Sequence, residues 1–377
     1  MPAIDLASKL RGATVRGLLG LPRPVLRLLA GRPVTIDDQR LDVEAQMGLR
    51  LLALAGEDPL DRLTPERARA RVRTDAQTFE GPKIQVARVD PVTVSGAAGA
   101  LGGRLYVPHN DGGERAGSDA SDGLLVYFHG GGFVVGDLET HDNVCRFLAH
   151  NAGVRVLAVD YRLAPEHRFP AAIDDALAAF RFAVGRADEL GTATDRIAVG
   201  GDSAGANLAA GVARLTAAGG EPSPAFQLLF YPWLDLSSKR RSYRLFGDGF
   251  YLTESDLDWD KGHYLGSDSE AFDPRCSPAL ADDLSGGPPA YIATAGFDPL
   301  RDEGEEYGAR LRTAGARVAV RRHAGLIHGF VNTSQMGHSA REALLEATGA
   351  LRFALSRSAP RVESARTGAV GVSRQAR

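Results

Sequence analysis

The sequence predicts an α/β protein: a central, mostly parallel sheet flanked by helices, with a helical addition outside it. Short, largely apolar runs recur at 124–128, 154–159, 197–200, 226–230, 291–295 and 318–321, the first of them fully apolar. Runs without polar alternation describe strands covered on both faces. Helical patterns of crossover length separate several of them, at 171–184, 204–217 and 302–314, with a last helix at 339–355, and a helix between consecutive strands is what parallel pairing requires. The alternation lapses between 233 and 284, where Asp, Ser, Tyr and Gly dominate, so an insertion is expected there.

Residues 1–80 read as helical, with a broken apolar stripe through Leu41, Met47, Leu51, Leu52 and Leu54. Thr64-Pro65-Glu66 opens a further helix with proline at its first position. No strand is expected in this stretch. The sheet is expected to begin with β-like runs at 84–89 and 105–107, followed by an exposed Gly/Ser/Asp-rich loop at 109–123. The organisation is then an N-terminal helical segment (1–80), a core assembled from 81–232 and 285–356, the insertion (233–284), and a tail (357–377) too poor in apolar residues to pack.

Hydrophobic residues at 44% and charged residues at 24% are ordinary for a globular chain. A formal net charge of −3 gives nucleic acid no overall electrostatic attraction. Cys145 and Cys276 stand far apart, in neither CxxC nor metal-ligand spacing, so no metal site is expected, and two reduced thiols point to the cytoplasm. Lys9, Arg11, Arg16, Arg23, Arg27 and Arg32 interrupt the apolar residues of the first 32 positions, leaving no signal-peptide core. The Arg-spaced stretch 13–30 is expected to pack on the protein's own body; weak contact with a membrane surface is the second reading.

The chemistry lies at the ends of the predicted strands. After 197–200 comes Gly201-Asp202-Ser203-Ala204-Gly205, then an apolar helix. A G-x-S-x-G between strand and helix makes a turn so tight that glycines are needed on both sides, and it lifts the serine hydroxyl above the sheet. Alone, the motif is also that of a plain glycine-rich turn. After 124–128 comes His129-Gly130-Gly131-Gly132-Phe133, where main chain can closely approach a developing oxyanion. Gly131, Gly132 and the N–H of Ala204 are the candidate donors. His129 is read as a support that hydrogen-bonds this loop into shape, with Gly130, Gly201, Asp202 and Gly205 as further motif support.

Asp298 follows the 291–295 run and His328 follows 318–321. The order serine, acid, histidine along the chain fits a nucleophile, an orienting carboxylate and a general base meeting at one sheet edge. Asp302 and Glu303 compete for the acid's role, but they fall at a helix start, where carboxylates are favoured by the dipole. His323 competes for the base but follows its strand almost directly, whereas His328 lies on a longer glycine-flanked loop.

These segments, together with Asp160-Tyr161-Arg162-Leu163-Ala164-Pro165-Glu166 and His328-Gly329-Phe330, resemble the hormone-sensitive-lipase-like (family IV) bacterial esterases from about residue 84 to 355. The resemblance implies an α/β-hydrolase core, a helical cap made from the N-terminal segment and the insertion, and hydrolysis of short- to medium-chain acyl esters without a cofactor. The charged residues of 160–166 are read as knitting loops beneath the site. Phe133, Trp233, Phe297, Leu326 and Ile327 flank the catalytic loops and are candidates for the acyl pocket or for plain core packing. Ala206 stands where the family commonly has glycine, and the N-terminal extension is longer than in many members. Amide hydrolysis, acyl transfer to an alcohol, and a non-catalytic ligand receptor are the rival uses of such a scaffold; the presence of His328 counts against the last. The sequence leaves a monomer or an oligomer open.

Overall fold

The computed structural model describes residues 6–79, 81–109 and 122–356. The predicted tail at 357–377 and most of the predicted loop at 109–123 lie outside the described residues. The N-terminal segment forms α1 (Leu6–Leu19), α2 (Arg23–Ala30), α3 (Val43–Ala55) and α4 (Pro65–Phe79), interrupted by a small hairpin of β1 (Thr35–Ile36) and β2 (Gln39–Arg40). The hairpin is a strand pair where none was expected. Its two turn residues, Asp37 and Asp38, both take the left-handed conformation, as a two-residue hairpin turn demands.

The core sheet contains β3 (Arg88–Gly96), β4 (Gly99–Val107), β5 (Leu124–Phe128), β6 (Arg155–Val159), β7 (Ile197–Asp202), β8 (Gln227–Phe230), β9 (Ala290–Phe297) and β10 (Val318–Ile327). Their spatial order is β10-β9-β8-β7-β5-β6-β4-β3. All pairings from β6 through β10 are parallel, and β3 and β4 join antiparallel at one edge. Residues 84–87, expected in a strand, lie outside the sheet; pairing starts at Arg88. The expected strand at 105–107 extends back to Gly99. Both strands are largely solvated on one face, so the apolar signal is diluted there, and Pro91 is tolerated because β3 is an edge.

The central strands β5, β7, β8 and β9 are buried along their whole length. One face is covered by α6 (Ala171–Gly185), α7 (Ala204–Gly219) and α10 (Arg301–Thr313), through Phe180, Leu208, Val212 and Leu311. The other is covered by α5 (Asp142–Ala152) and α11 (His338–Leu355), through Phe147, Leu148, Leu344 and Leu351. The insertion supplies α8 (Arg241–Phe246) and α9 (Glu254–Tyr264). No helix among the described residues is long and apolar enough to cross a membrane.

The stretch 13–30 is not one helix. It breaks between α1 and α2, and Leu19, Leu26 and Ala30 are buried in a cluster with Met47 and Met336. Arg69 fastens α4 to the core: its guanidinium donates to both carboxylate oxygens of Glu166 at 2.6 and 2.8 Å, to Val134 O at 2.9 Å and to Ala164 O at 2.7 Å. Arg162 makes a matching fork to Asp175 at 2.7 and 2.9 Å. Two charges of the 160–166 segment therefore tie elements together.

The tightest point of the fold is the crossing of β5 and the start of α7. A Cβ on Gly205 would lie 1.9 Å from Phe128 O, and one on Gly201 would lie 2.4 Å from the same oxygen. No side-chain rotation relieves an overlap with backbone. Gly205→Ala is accordingly expected to destabilise by about 3 kcal/mol or more, read as a lowered urea midpoint or loss of soluble protein.

Candidate active site

Ser203 ends β7 and precedes α7 with φ 55° and ψ −121°, a conformation that a residue with a Cβ adopts only when its surroundings force it. The forcing contacts are visible. Ser203 N–H donates to Phe230 O at 2.9 Å, and Trp233 N–H donates to Ser203 O at 3.3 Å. Main chain on both sides of Tyr231 thus grips the serine, and the Tyr231 ring packs at 4.4 Å from the His328 ring. Strand ends β7, β8 and β10 meet around this tyrosine.

His328 Nδ1 lies 2.8 Å from Asp298 Oδ2. Asp298 is fully buried, and its other oxygen accepts Leu300 N–H at 2.8 Å. Register explains the meeting. His323 pairs with Ala295, but Ile327 pairs with Phe297, so β10 spends four residues where β9 spends two. The two surplus residues form a bulge that sets position 328 beside position 298; without it Leu326 would stand there. Gly296 and Gly325 make room: a Cβ on Gly296 would meet Ala324 O at 2.1 Å, and Gly325 O accepts Asp42 N–H from the N-terminal segment at 2.9 Å.

His323 is a strand residue within β10, with its ring against Phe330 at 5.6 Å. The rival acids do not cap α10, as expected at a helix start. Asp302 accepts Ser242 N–H at 2.9 Å, and buried Glu303 accepts Leu234 N–H at 2.6 Å and Asp235 N–H at 3.2 Å, so both hold the insertion to the core.

The glycine loop is shaped by positive φ at Gly131 (119°) and Gly132 (59°). Gly130 N–H is spent on Asp202 Oδ1 at 3.0 Å. The N–H groups of Gly131, Gly132 and Ala204 donate to no acceptor among the described residues. Ala204 also opens α7, where the helix dipole favours negative charge. Such N–H groups beside the serine can receive the oxygen of a tetrahedral intermediate.

Asp202 is the post beneath this loop. Its buried carboxylate also accepts the Tyr127 hydroxyl at 2.8 Å and faces His141 Nε2 at 3.3 Å. Burial works to raise its pKa, but His141, the Tyr127 hydroxyl and His129 hold it below the ordinary aspartate value. His129 donates from Nδ1 to Gly130 O at 2.8 Å and stacks on Tyr161 at 4.4 Å, while Tyr161 donates to His129 O at 2.8 Å.

A cavity of about 1080 Å³, its open mouth included, adjoins His328. Its walls come from α3 and α4 (Leu49, Leu52, Val72, Phe79) and from Leu326 and Ile327. Phe133, Trp233 and Phe297 do not line it. Phe133 stacks on Tyr264 at 3.9 Å with Trp233 beside it, and Phe297 packs on Phe246 and Phe250.

Residues 125–332 match the family model for the alpha/beta hydrolase fold. The chain belongs to the α/β-hydrolase family. Within it, this hydrolase is one of the hormone-sensitive-lipase-like esterases that its motifs resemble. It is 45% identical to the carboxylic ester hydrolase LipN of Mycobacterium tuberculosis, over 91% of each chain. It is 37% identical to an ethyl acetate hydrolase of Pseudomonas putida, over 78% of this chain and 92% of that one. Among solved structures, an ester hydrolase from the Lake Arreo metagenome superposes with a TM-score of 0.79 at 39% identity, covering 83% of this chain and 98% of that one. An esterase from the archaeon Pyrobaculum calidifontis gives 0.76 at 37%, covering 83% and 98%.

Sequence reasoning missed several residues that shape the hydrolase's site. Tyr127, His141 and Tyr231 carry no local motif, and only the fold brings them to Asp202. Asp260 did leave a signal: it occupies a buried position of α9 in step with Leu257 and Tyr264.

Burial pushes the His129 imidazole from its ordinary 6.5 down to about 4. The unfolded chain takes up this proton first as pH falls. Stability is therefore complete above about 6.5 and lost progressively towards pH 4, by roughly 3 kcal/mol in all. Urea unfolding at pH 7 and pH 4.5 is expected to show a smaller acid-induced loss in His129→Gln than in the native protein; equal losses would contradict the assignment.

Proposed function

We propose that this chain is a serine carboxylester hydrolase in which Ser203 is the nucleophile, His328 the general base, Asp298 its orienting carboxylate, and the N–H groups of Gly131, Gly132 and Ala204 the oxyanion donors. The observation that carries the reading is the buried 2.8 Å contact between His328 Nδ1 and Asp298 Oδ2. With Nδ1 committed to the carboxylate, Nε2 is the atom left to take a proton from the serine. Ser203 Oγ then adds to the ester carbonyl, and charge moves onto the oxygen facing the three N–H groups. His328 returns the proton to the departing alcohol. In the second half His328 takes a proton from water as the water oxygen adds to the acyl carbon, then gives that proton to Ser203 Oγ as the acyl–serine bond breaks, releasing the acid. Relatives named as carboxylester and ethyl acetate hydrolases support the ester class.

Ser203→Ala is expected to lower p-nitrophenyl butyrate turnover by about 1000-fold or more while leaving the circular dichroism spectrum intact. A folded variant with near-native rates would refute the assignment.

The N-terminal segment and the insertion act as the cap, and the cavity beside His328 holds the acyl chain, limiting it to short and medium lengths. Gly48 on α3 lines this cavity, and a Cβ there would meet nothing within 4 Å. Gly48→Leu fills the space and suits a helix better than glycine does. It is expected to cut kcat/KM for p-nitrophenyl octanoate about tenfold more than for the acetate. Equal changes would move the acyl chain elsewhere.

Both cysteines are free and buried, which supports a reducing, cytoplasmic setting. On α2, Val25, Leu28 and Leu29 are exposed beside Arg23 and Arg27. That face supports weak contact with anionic lipid surfaces from which esters are drawn.

A further inference from the structure

Helix α9 buries one face through Leu257, Asp260 and Tyr264. Leu257 and Tyr264 belong to the apolar core, whereas Asp260 sets a carboxyl group in the same stripe. Asp260 is only 9% exposed, and among the described residues it makes no hydrogen bond and no ion pair. The carboxyl lies directly against Gly132 of the glycine loop. A Cβ on that glycine would fall 1.9 Å from Asp260 Oδ2 and 2.3 Å from Oδ1. The positive φ of Gly132 and its missing side chain are what let the acid sit there. Burial, with Asp256 adding to it, pushes this carboxyl well above the usual carboxylate range. A neutral carboxylic acid holds one donor and one free acceptor, and among the described residues neither has a partner.

A buried carboxyl without a bonded partner, touching a residue proposed to bind the carbonyl oxygen, has its bonding capacity left for a substrate group nearby. We propose that Asp260 is a specificity-determining residue that hydrogen-bonds a hydroxyl or carbonyl group carried by the acyl chain next to the scissile carbonyl. Hydroxyacyl and oxoacyl esters are then preferred over plain hydrocarbon esters of the same length. The reach fits: an oxyanion sits about 2.9 Å from the Gly132 nitrogen, and Asp260 packs on the same residue, so one or two carbons bridge the distance. A site built to bond a polar group rejects the analogue that lacks it more strongly than an apolar pocket rejects an added one.

The inference rests on the esterase reading and on Gly132 as an oxyanion donor. The test compares ethyl 3-hydroxybutyrate with ethyl butyrate, following released acid by titration, for the native enzyme, Asp260→Asn and Asp260→Leu, with folding checked by circular dichroism. The native enzyme is expected to favour the hydroxy ester in kcat/KM by about tenfold. Asp260→Leu is expected to erase that preference, bringing kcat/KM for the two esters to a ratio near one, and Asp260→Asn to keep part of it. A native ratio at or below one overturns the proposal. So does a ratio unchanged in Asp260→Leu, which marks a purely structural acid. If the leucine variant does not fold, Asp260→Ala takes its place under the same criterion. Failure of the native protein to hydrolyse either ester removes the esterase reading itself, and is told apart by the absence of any difference from Ser203→Ala.

Discussion

Everything at this site depends on the near-contact of two backbones: the end of β5 at Phe128 and the turn from β7 into α7. The two chains approach so closely that neither Gly201 nor Gly205 can carry a side chain. That approach fixes Ser203 at positive φ, points the free N–H of Ala204 into the same space, and sets the glycine loop following Phe128 beside the serine. The strain at Ser203 is sustained by the buried strands around it and by the backbone bonds from Phe230 and Trp233.

Asp202 converts this approach into a rigid site. A buried carboxylate is costly unless it is fully bonded, and here the bonds come from β5 (Tyr127), from the glycine loop (Gly130) and from the segment before α5 (His141). One side chain therefore holds the serine turn and the glycine loop in fixed relation. Asp260 presses on that loop from the other side, without a bonded partner. The contrast separates the two acids: Asp202 is satisfied within the protein and serves its architecture, whereas the bonding capacity of Asp260 is left for something outside it.

Asp298 and His328 reach the site by a different device. Glycines at the ends of β9 and β10 let their main chains crowd together, and a two-residue bulge in β10 turns a register that would present Leu326 into one that presents His328. The N-terminal segment docks on that bulge through Asp42 and on the core through Arg69. The helices that wall the cavity are thus tied to the strand that leads into His328.

The sequence by itself determined the core strands, the order of the candidate site residues and their glycine-flanked turns, because parallel strands covered on both faces read as unbroken apolar runs and tight turns demand glycine. It also pointed to His129 as a loop support, and the His129 Nδ1 contact with Gly130 O at 2.8 Å agrees with that reading. Only the tertiary structure decided the edge hairpin of β3 and β4, the small β1–β2 hairpin, the length of β10 and the work of Asp302 and Glu303. Edge strands are solvated on one face and lose the apolar signature, a bulge leaves no local mark, and a carboxylate at a helix start looks alike whether it caps that helix or grips a distant loop. The pocket was divided in the same way: Leu326 and Ile327 line the cavity, while Phe133, Trp233 and Phe297 are enclosed by other aromatic rings, since hydrophobicity alone does not say which apolar side chain borders empty space.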